Sequence, residues 1–61
     1  MKTVKEMVDE LIQSGLSQPR IAELSETSQA TISRIIHNKQ KPSFDIGRRI
    51  ESVYSDRVGN G

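Results

Sequence analysis

Residues 18–38 read QPRIAELSETSQATISRIIHN, and the fold turns on this stretch. Ile21, Ala22 and Leu24 supply the apolar side of a helix of about two turns. Ser17 stands before it as an N-cap, and Pro19 is tolerated in the first turn because its missing amide had no partner there. A helix this short does not persist alone and must be held by packing. Residues 25–27, Ser-Glu-Thr, break the pattern and read as a turn. Ser28 then caps a second helix whose apolar positions are Ile32, Ile35 and Ile36. Its other face carries Gln29, Ala30, Ser33, Arg34 and His37. Asn38, of the type most at ease in the left-handed region after glycine, stops it.

The pattern continues to either side. Over residues 3–14, Val4, Met7, Val8, Leu11 and Ile12 form one stripe at helical period. Thr3 with Glu6 makes a capping box, and Gly15 sits where a helix ends through a left-handed residue. Downstream, Lys39-Gln40-Lys41-Pro42 is a basic loop, and Ser43 caps a last helix with Asp45 near its positive end. Phe44, Ile46, Ile50, Val53 and Tyr54 are its expected buried stripe. No segment alternates with period two. The expectation is an all-α, compact bundle of four or five short helices, one domain over residues 1–58, with residues 59–61 a frayed tail or added remnant.

Composition narrows the function. A chain of 61 residues makes one domain at most, and such domains bury only about 60% of the surface their unfolded chains expose. Without cysteine there is no disulfide or thiolate metal site, and His37 alone does not build a zinc site, so no metal or cofactor is expected. No apolar run approaches the roughly 20 residues that span a bilayer, and no signal peptide opens the chain. The default is a soluble, cytoplasmic protein without membrane or small-molecule partners. Its carboxylates are scattered on polar faces, with adjacent Asp9 and Glu10 pointing in different directions, so catalysis is not expected.

The net charge is +1, but its distribution is uneven. Residues 1–26 set Lys2, Lys5 and Arg20 against five acids, a net of −2. Residues 27–49 set Arg34, Lys39, Lys41, Arg48 and Arg49 against Asp45, a net of +4. One polyanion-facing surface produces such asymmetry, although a solvated charged face would too. The exposed side of a helix held by a partner across a short turn fits a major groove about 12 Å wide. Glutamine pairs bidentately with adenine, arginine with guanine, and a small apolar side chain meets a thymine methyl. Gln29, Arg34 and Ala30 therefore have the chemistry of base readers, with Ser28 and Ser33 beside them. Gln18, His37, Asn38, Lys39, Lys41 and Ser43 are candidate phosphate partners. Each also has a plainer role: solvated surface for Gln29 and Arg34, capping for Ser28, helix propensity for Ala30. Arg48 and Arg49 are equally suited to helix pairs with Asp45 and Glu51.

The segments Gly15-Leu16-Ser17-Gln18, Ile21-Ala22-Glu23-Leu24, Ser28-Gln29-Ala30-Thr31-Ile32-Ser33-Arg34-Ile35 and Asn38-Lys39-Gln40-Lys41-Pro42-Ser43 together resemble the lambda-repressor/Cro-type helix-turn-helix family. The likeness spans about residues 4–54. It implies transcriptional regulation by binding double-stranded operator DNA in the nucleoid, usually as a homodimer on a near-palindromic site. By that resemblance Gln29, Ala30 and Arg34 fall on base-reading positions, with Ser28 and Ser33 as lesser ones. Gln18, His37, Lys39 and Lys41 fall on backbone-contacting positions, and Ala22, Ile32 and Ile35 on packing positions. The short chain favours, by analogy alone, a Cro-like phage repressor.

Two departures from the family pattern stand out. Glu26 occupies the turn position usually held by glycine, where a left-handed backbone costs roughly 1 kcal/mol, so an adjusted turn is expected. Ser25 and Thr27 replace its usual apolar neighbours while Leu24 comes one place early, which predicts that the second helix of the chain, the one before the turn, packs slightly rotated. Asn38 replaces a common glycine, a milder change. The rival reading is a protein-interaction module, an antitoxin or adaptor on the same bundle, using Glu6, Asp9 and Glu10 of the acidic first helix. Phe44, Tyr54 and Val58 form a late apolar cluster suited either to the core or to a dimer contact.

Overall fold

The computed structural model describes residues 2–39 and 41–59. Four α-helices follow one another: α1 (Val4–Gln13), α2 (Gln18–Leu24), α3 (Gln29–Ile36) and α4 (Phe44–Tyr54). A π-helical turn over Ser55–Gly59 extends α4, and residues 60 and 61 of the expected tail lie outside the described residues. Among the described residues there is no strand, and the all-α bundle stands.

A hydroxyl opens every α-helix. Thr3, Ser17, Ser28 and Ser43 each accept from the amide three residues on, at 3.2, 3.3, 3.1 and 3.3 Å. At α1 the Glu6 carboxylate returns the bond to the Thr3 amide at 2.8 Å, completing the capping box. Each of these contacts satisfies an amide that the helix itself leaves without a partner.

The first three helices also end alike. A left-handed residue follows the C-cap, and two backbone bonds close back over the last turn. After α1, Gly15 (φ 113°) donates to Ile12 O at 3.0 Å and Leu16 to Leu11 O at 3.2 Å. After α2, Glu26 (φ 58°) donates to Glu23 O at 3.2 Å and Thr27 to Ala22 O at 2.8 Å. After α3, Asn38 (φ 58°) donates to Ile35 O at 3.1 Å and Lys39 to Arg34 O at 2.9 Å. The turn at Glu26 is therefore not adjusted, contrary to expectation. The glutamate takes the left-handed conformation in glycine's place.

The core draws Met7, Val8 and Leu11 from α1, Ile21 and Ala22 from α2, Ile32 and Ile35 from α3, and Ile50 and Val53 from α4. Val4, Ile12, Leu16, Ile36, Ile46 and Tyr54 close its edges. α2 packs chiefly on α3, while α1 lies against α4 and α3. Two expected core residues lie outside it. Leu24 is 39% exposed, and Ser25, 1% exposed, takes the inward place. At about 100° per residue, Ser25 falls between Ile21 and Ala22 on the helix circumference, whereas Leu24 points well to one side. The helix has not rotated to bury its leucine. Phe44 is 77% exposed because the first residue of α4 lies roughly opposite the stripe of Ile46, Ile50, Val53 and Tyr54. The late apolar cluster thus divides, with Phe44 exposed under Arg48 (5.7 Å to the ring centroid) and Tyr54 against the core.

A polar clasp ties α1 to α4. Tyr54 donates its hydroxyl to Glu10 Oε1 at 3.0 Å, and Lys2 pairs with the other carboxylate oxygen while lying over the tyrosine ring. The Lys2 bond, then the Tyr54 bond, holds the Glu10 carboxyl below its usual range. The capping bonds from Thr3 do the same for Glu6.

Glu26→Gly is expected to stabilise the chain by about 1 kcal/mol, raising the melting temperature by roughly 4–8 °C, because the strained left-handed side chain is removed. Asn38→Gly should gain less, since asparagine tolerates that region. An unchanged or lower melting temperature for Glu26→Gly would contradict the left-handed turn. The depressed carboxyls also set a pH dependence. A carboxylate that ionises more readily when folded adds stability above the ordinary glutamate value of about 4.3, lost as pH falls below it. The melting temperature should drop as pH is lowered from about 5 to about 3. Glu10→Gln should flatten that drop, and superimposable curves for the two proteins would refute the clasp.

Candidate nucleic-acid interface

The outer face of α3 is set by what its inner face buries. Ile32 and Ile35 are in the core, which leaves Gln29, Ala30, Arg34 and His37 exposed and Ser33 half-buried on the opposite side. These five positions form one continuous surface at helical spacing. Ser28 is exposed at the head of the helix, its hydroxyl committed to the Thr31 amide and 2.9 Å from Thr31 Oγ1. His37 Nδ1 lies 2.8 Å from Ser33 O. A carbonyl only accepts, so Nδ1 carries the proton, assigned here from its partner. A neutral His37 therefore offers Nε2 as an acceptor, and donation to a phosphate takes the protonated ring.

Of the other candidates, Asn38 and Lys41 meet across a hollow of about 370 Å³ that also touches Lys5, Ile35 and Pro42. The loop after α3 is thereby seated against the start of α1. Lys39 is exposed as the residue whose amide closes α3. Gln18 and Ser43 stand at the starts of α2 and α4, half-buried and exposed respectively. Gln40, part of the basic loop in the sequence, lies outside the described residues.

The turn that aims α3 depends on residues the sequence pattern did not mark for a role. Ser25 Oγ is 2.7 Å from Ile21 O and 3.2 Å from Thr27 Oγ1. The serine has one hydroxyl hydrogen and gives it to the carbonyl, so Thr27 is the donor in the second bond. Two residues that replace apolar ones in the family pattern thus satisfy each other, and no buried side-chain polar atom among the described residues lacks a partner. Arg49 of α4 adds a long bond, 3.4 Å, from Nη1 to the Glu26 carbonyl. A small polar residue at a position that faces the core was the available signal for Ser25.

Among the described residues no three His, Cys, Asp or Glu side chains gather as a metal site, and no helix is long and apolar enough to cross a membrane. A family model described as helix-turn-helix matches residues 9–55. The chain belongs to the lambda-repressor/Cro-type helix-turn-helix family. It is a DNA-binding regulator of that class, a regulatory rather than an enzymatic family. Comparison with curated proteins and with solved structures gives no match.

Ser25→Ala is expected to cost about 1 kcal/mol of stability. In a double-mutant cycle with Thr27→Val the two losses should couple by about 0.5 kcal/mol or more. Strictly additive losses in thermal melts would show that the hydroxyls do not act as a pair.

Proposed function

We propose that the chain is a sequence-specific transcriptional repressor of the Cro type, one domain over residues 1–58 that binds a near-palindromic operator as a homodimer. One observation carries the reading: Gln29, Ala30 and Arg34 are exposed together on α3, whose opposite side is locked into the core by Ile32 and Ile35. In the major groove Arg34 pairs with guanine and Gln29 with adenine, and the Ala30 methyl meets thymine. Ser28 and Ser33 are secondary, since the first caps α3 and the second is half-buried. Gln18, His37, Asn38, Lys39, Lys41 and Ser43 hold phosphates and fix the register. Two copies place their recognition helices about 34 Å apart, in successive major grooves.

Use of acidic α1 as a protein-binding surface has less support. Its carboxylates are occupied within the chain: Glu6 in the capping box, Asp9 with Lys5 at 2.8 Å, Glu10 with Lys2 and Tyr54.

Arg34→Ala is expected to cost about 1–3 kcal/mol on the preferred DNA, with little loss on random DNA, and to relax the preference at one position per half-site. Equal losses on both would remove Arg34 from base reading. Lys41→Ala should weaken all sequences alike and lower the slope of log K against log salt by about one. An unchanged slope counts against the phosphate contact.

A further inference from the structure

We propose that the chain takes up a proton as it binds DNA, at His37, which meets a backbone phosphate only as the imidazolium. The proposal rests on the DNA-binding reading above and adds a proton-linked regulation of the same face.

The ring is held by its own helix. Ser33 O accepts the His37 amide at 3.0 Å and lies 2.8 Å from Nδ1, with Ser33 Oγ 3.4 Å from the same nitrogen. A bare Nδ1 would set its lone pair against those of the carbonyl, so the proton of the neutral ring sits on Nδ1. Nε2 makes no hydrogen bond among the described residues, and the side chain is exposed. The neutral ring therefore presents only a lone pair outward. A phosphate oxygen likewise only accepts, so the contact forms when Nε2 gains a proton from solvent.

Place along α3 makes the partner a phosphate. Eight residues separate His37 from Gln29, about 12 Å along the axis, which is the width of the major groove. A recognition helix whose N-terminal residues reach the base edges carries its last residue to the groove wall, where the backbone runs. Around the axis His37 is only about 80° from Gln29, on the same exposed face.

The charged groups placed around this end of α3 are cations. Arg34 lies one turn back and Lys39 two residues on, both exposed. Lys41 and, from α1, Lys5 line the hollow that Asn38 borders. The acids of the helices packed on α3 are already occupied: Glu23 with Arg20 on α2, and on α1 Glu6 in the capping box, Asp9 with Lys5, and Glu10 with Lys2 and Tyr54. Glu26 precedes α3 at its other end, and Asp45 stands in the first turn of α4. Bound DNA thus brings the negative charge that favours the protonated ring. By linkage, whatever the DNA adds to proton affinity, the proton adds to DNA affinity.

The test measures binding of the full chain to a duplex selected from random DNA and to random duplex, at fixed salt, at pH about 8 and about 5.5. Both values lie above the range in which the lowered carboxyls of Glu6 and Glu10 take up protons. Wild type is expected to bind at least about fivefold tighter at the lower pH, on both duplexes alike, because a phosphate carries no sequence. Its slope of log K against log salt should steepen there by about one. His37→Gln should show neither change, and His37→Lys, charged at both pH values, should show the steep slope at both. Should His37→Gln unfold, the wild-type slopes and His37→Lys decide. A gain kept by His37→Gln, or one without the steeper slope, overturns the proposal. So does a gain confined to the selected duplex, or affinity that falls as pH is lowered, the mark of a base amino group donating to Nε2. Affinity flat with pH overturns it as well. Each of these leaves DNA binding standing, whereas folded wild type that binds no DNA at either pH overturns that reading and the proton with it.

Discussion

Between α2 and α3 the chain turns within four residues, and it does so on a glutamate held at φ 58°. Everything that faces the solvent from α3 depends on that turn. The amides of Glu26 and Thr27 close over the end of α2, and the Ser28 hydroxyl opens α3 immediately afterwards. Ile21 and Ala22 then meet Ile32 and Ile35 in one core. With both ends of the turn tied and both helices sharing a core, the outer face of α3 has little freedom to tilt. A side chain that must meet a base edge at hydrogen-bond distance needs such a fixed platform.

Tolerance of glutamate at this position has a visible cause in its neighbours. Ser25 is buried with its hydroxyl bonded to Ile21 O and Thr27 Oγ1, and Arg49 reaches the Glu26 carbonyl from α4. Such bonds contribute roughly 0.5–1.5 kcal/mol each in favourable geometry, enough to offset the strain of one left-handed residue. The turn is polar where the family pattern is apolar, and it still closes through a left-handed residue. The clasp of Lys2, Glu10 and Tyr54 ties α1 to α4.

Much of this was legible in the residues. The four caps, the α1 stripe, the left-handed Asn38 and the division of α3 into an isoleucine side and a Gln-Ala-Arg side follow from residue type and spacing, and they survive in the fold. What spacing missed came from the ends of helices. Phe44 begins α4, where hydrophobicity suggested core but angular position puts it in solvent. Leu24 ends α2, where the inward place goes to a serine whose polar group finds partners only across the turn. Periodicity counts residues along one helix. It does not see the threonine two residues beyond that serine which makes its burial acceptable, nor the arginine of α4 that reaches the turn carbonyl.

The central claim is that the exposed face of α3 reads a defined DNA sequence. Selection of bound duplexes from a random library at moderate salt tests it most directly. The account predicts enrichment of one motif, repeated with twofold symmetry at a spacing of about one helical turn, 10–10.5 base pairs between half-site centres or a multiple of it. Recovery of DNA with no enriched sequence, while the folded chain still binds, would contradict it.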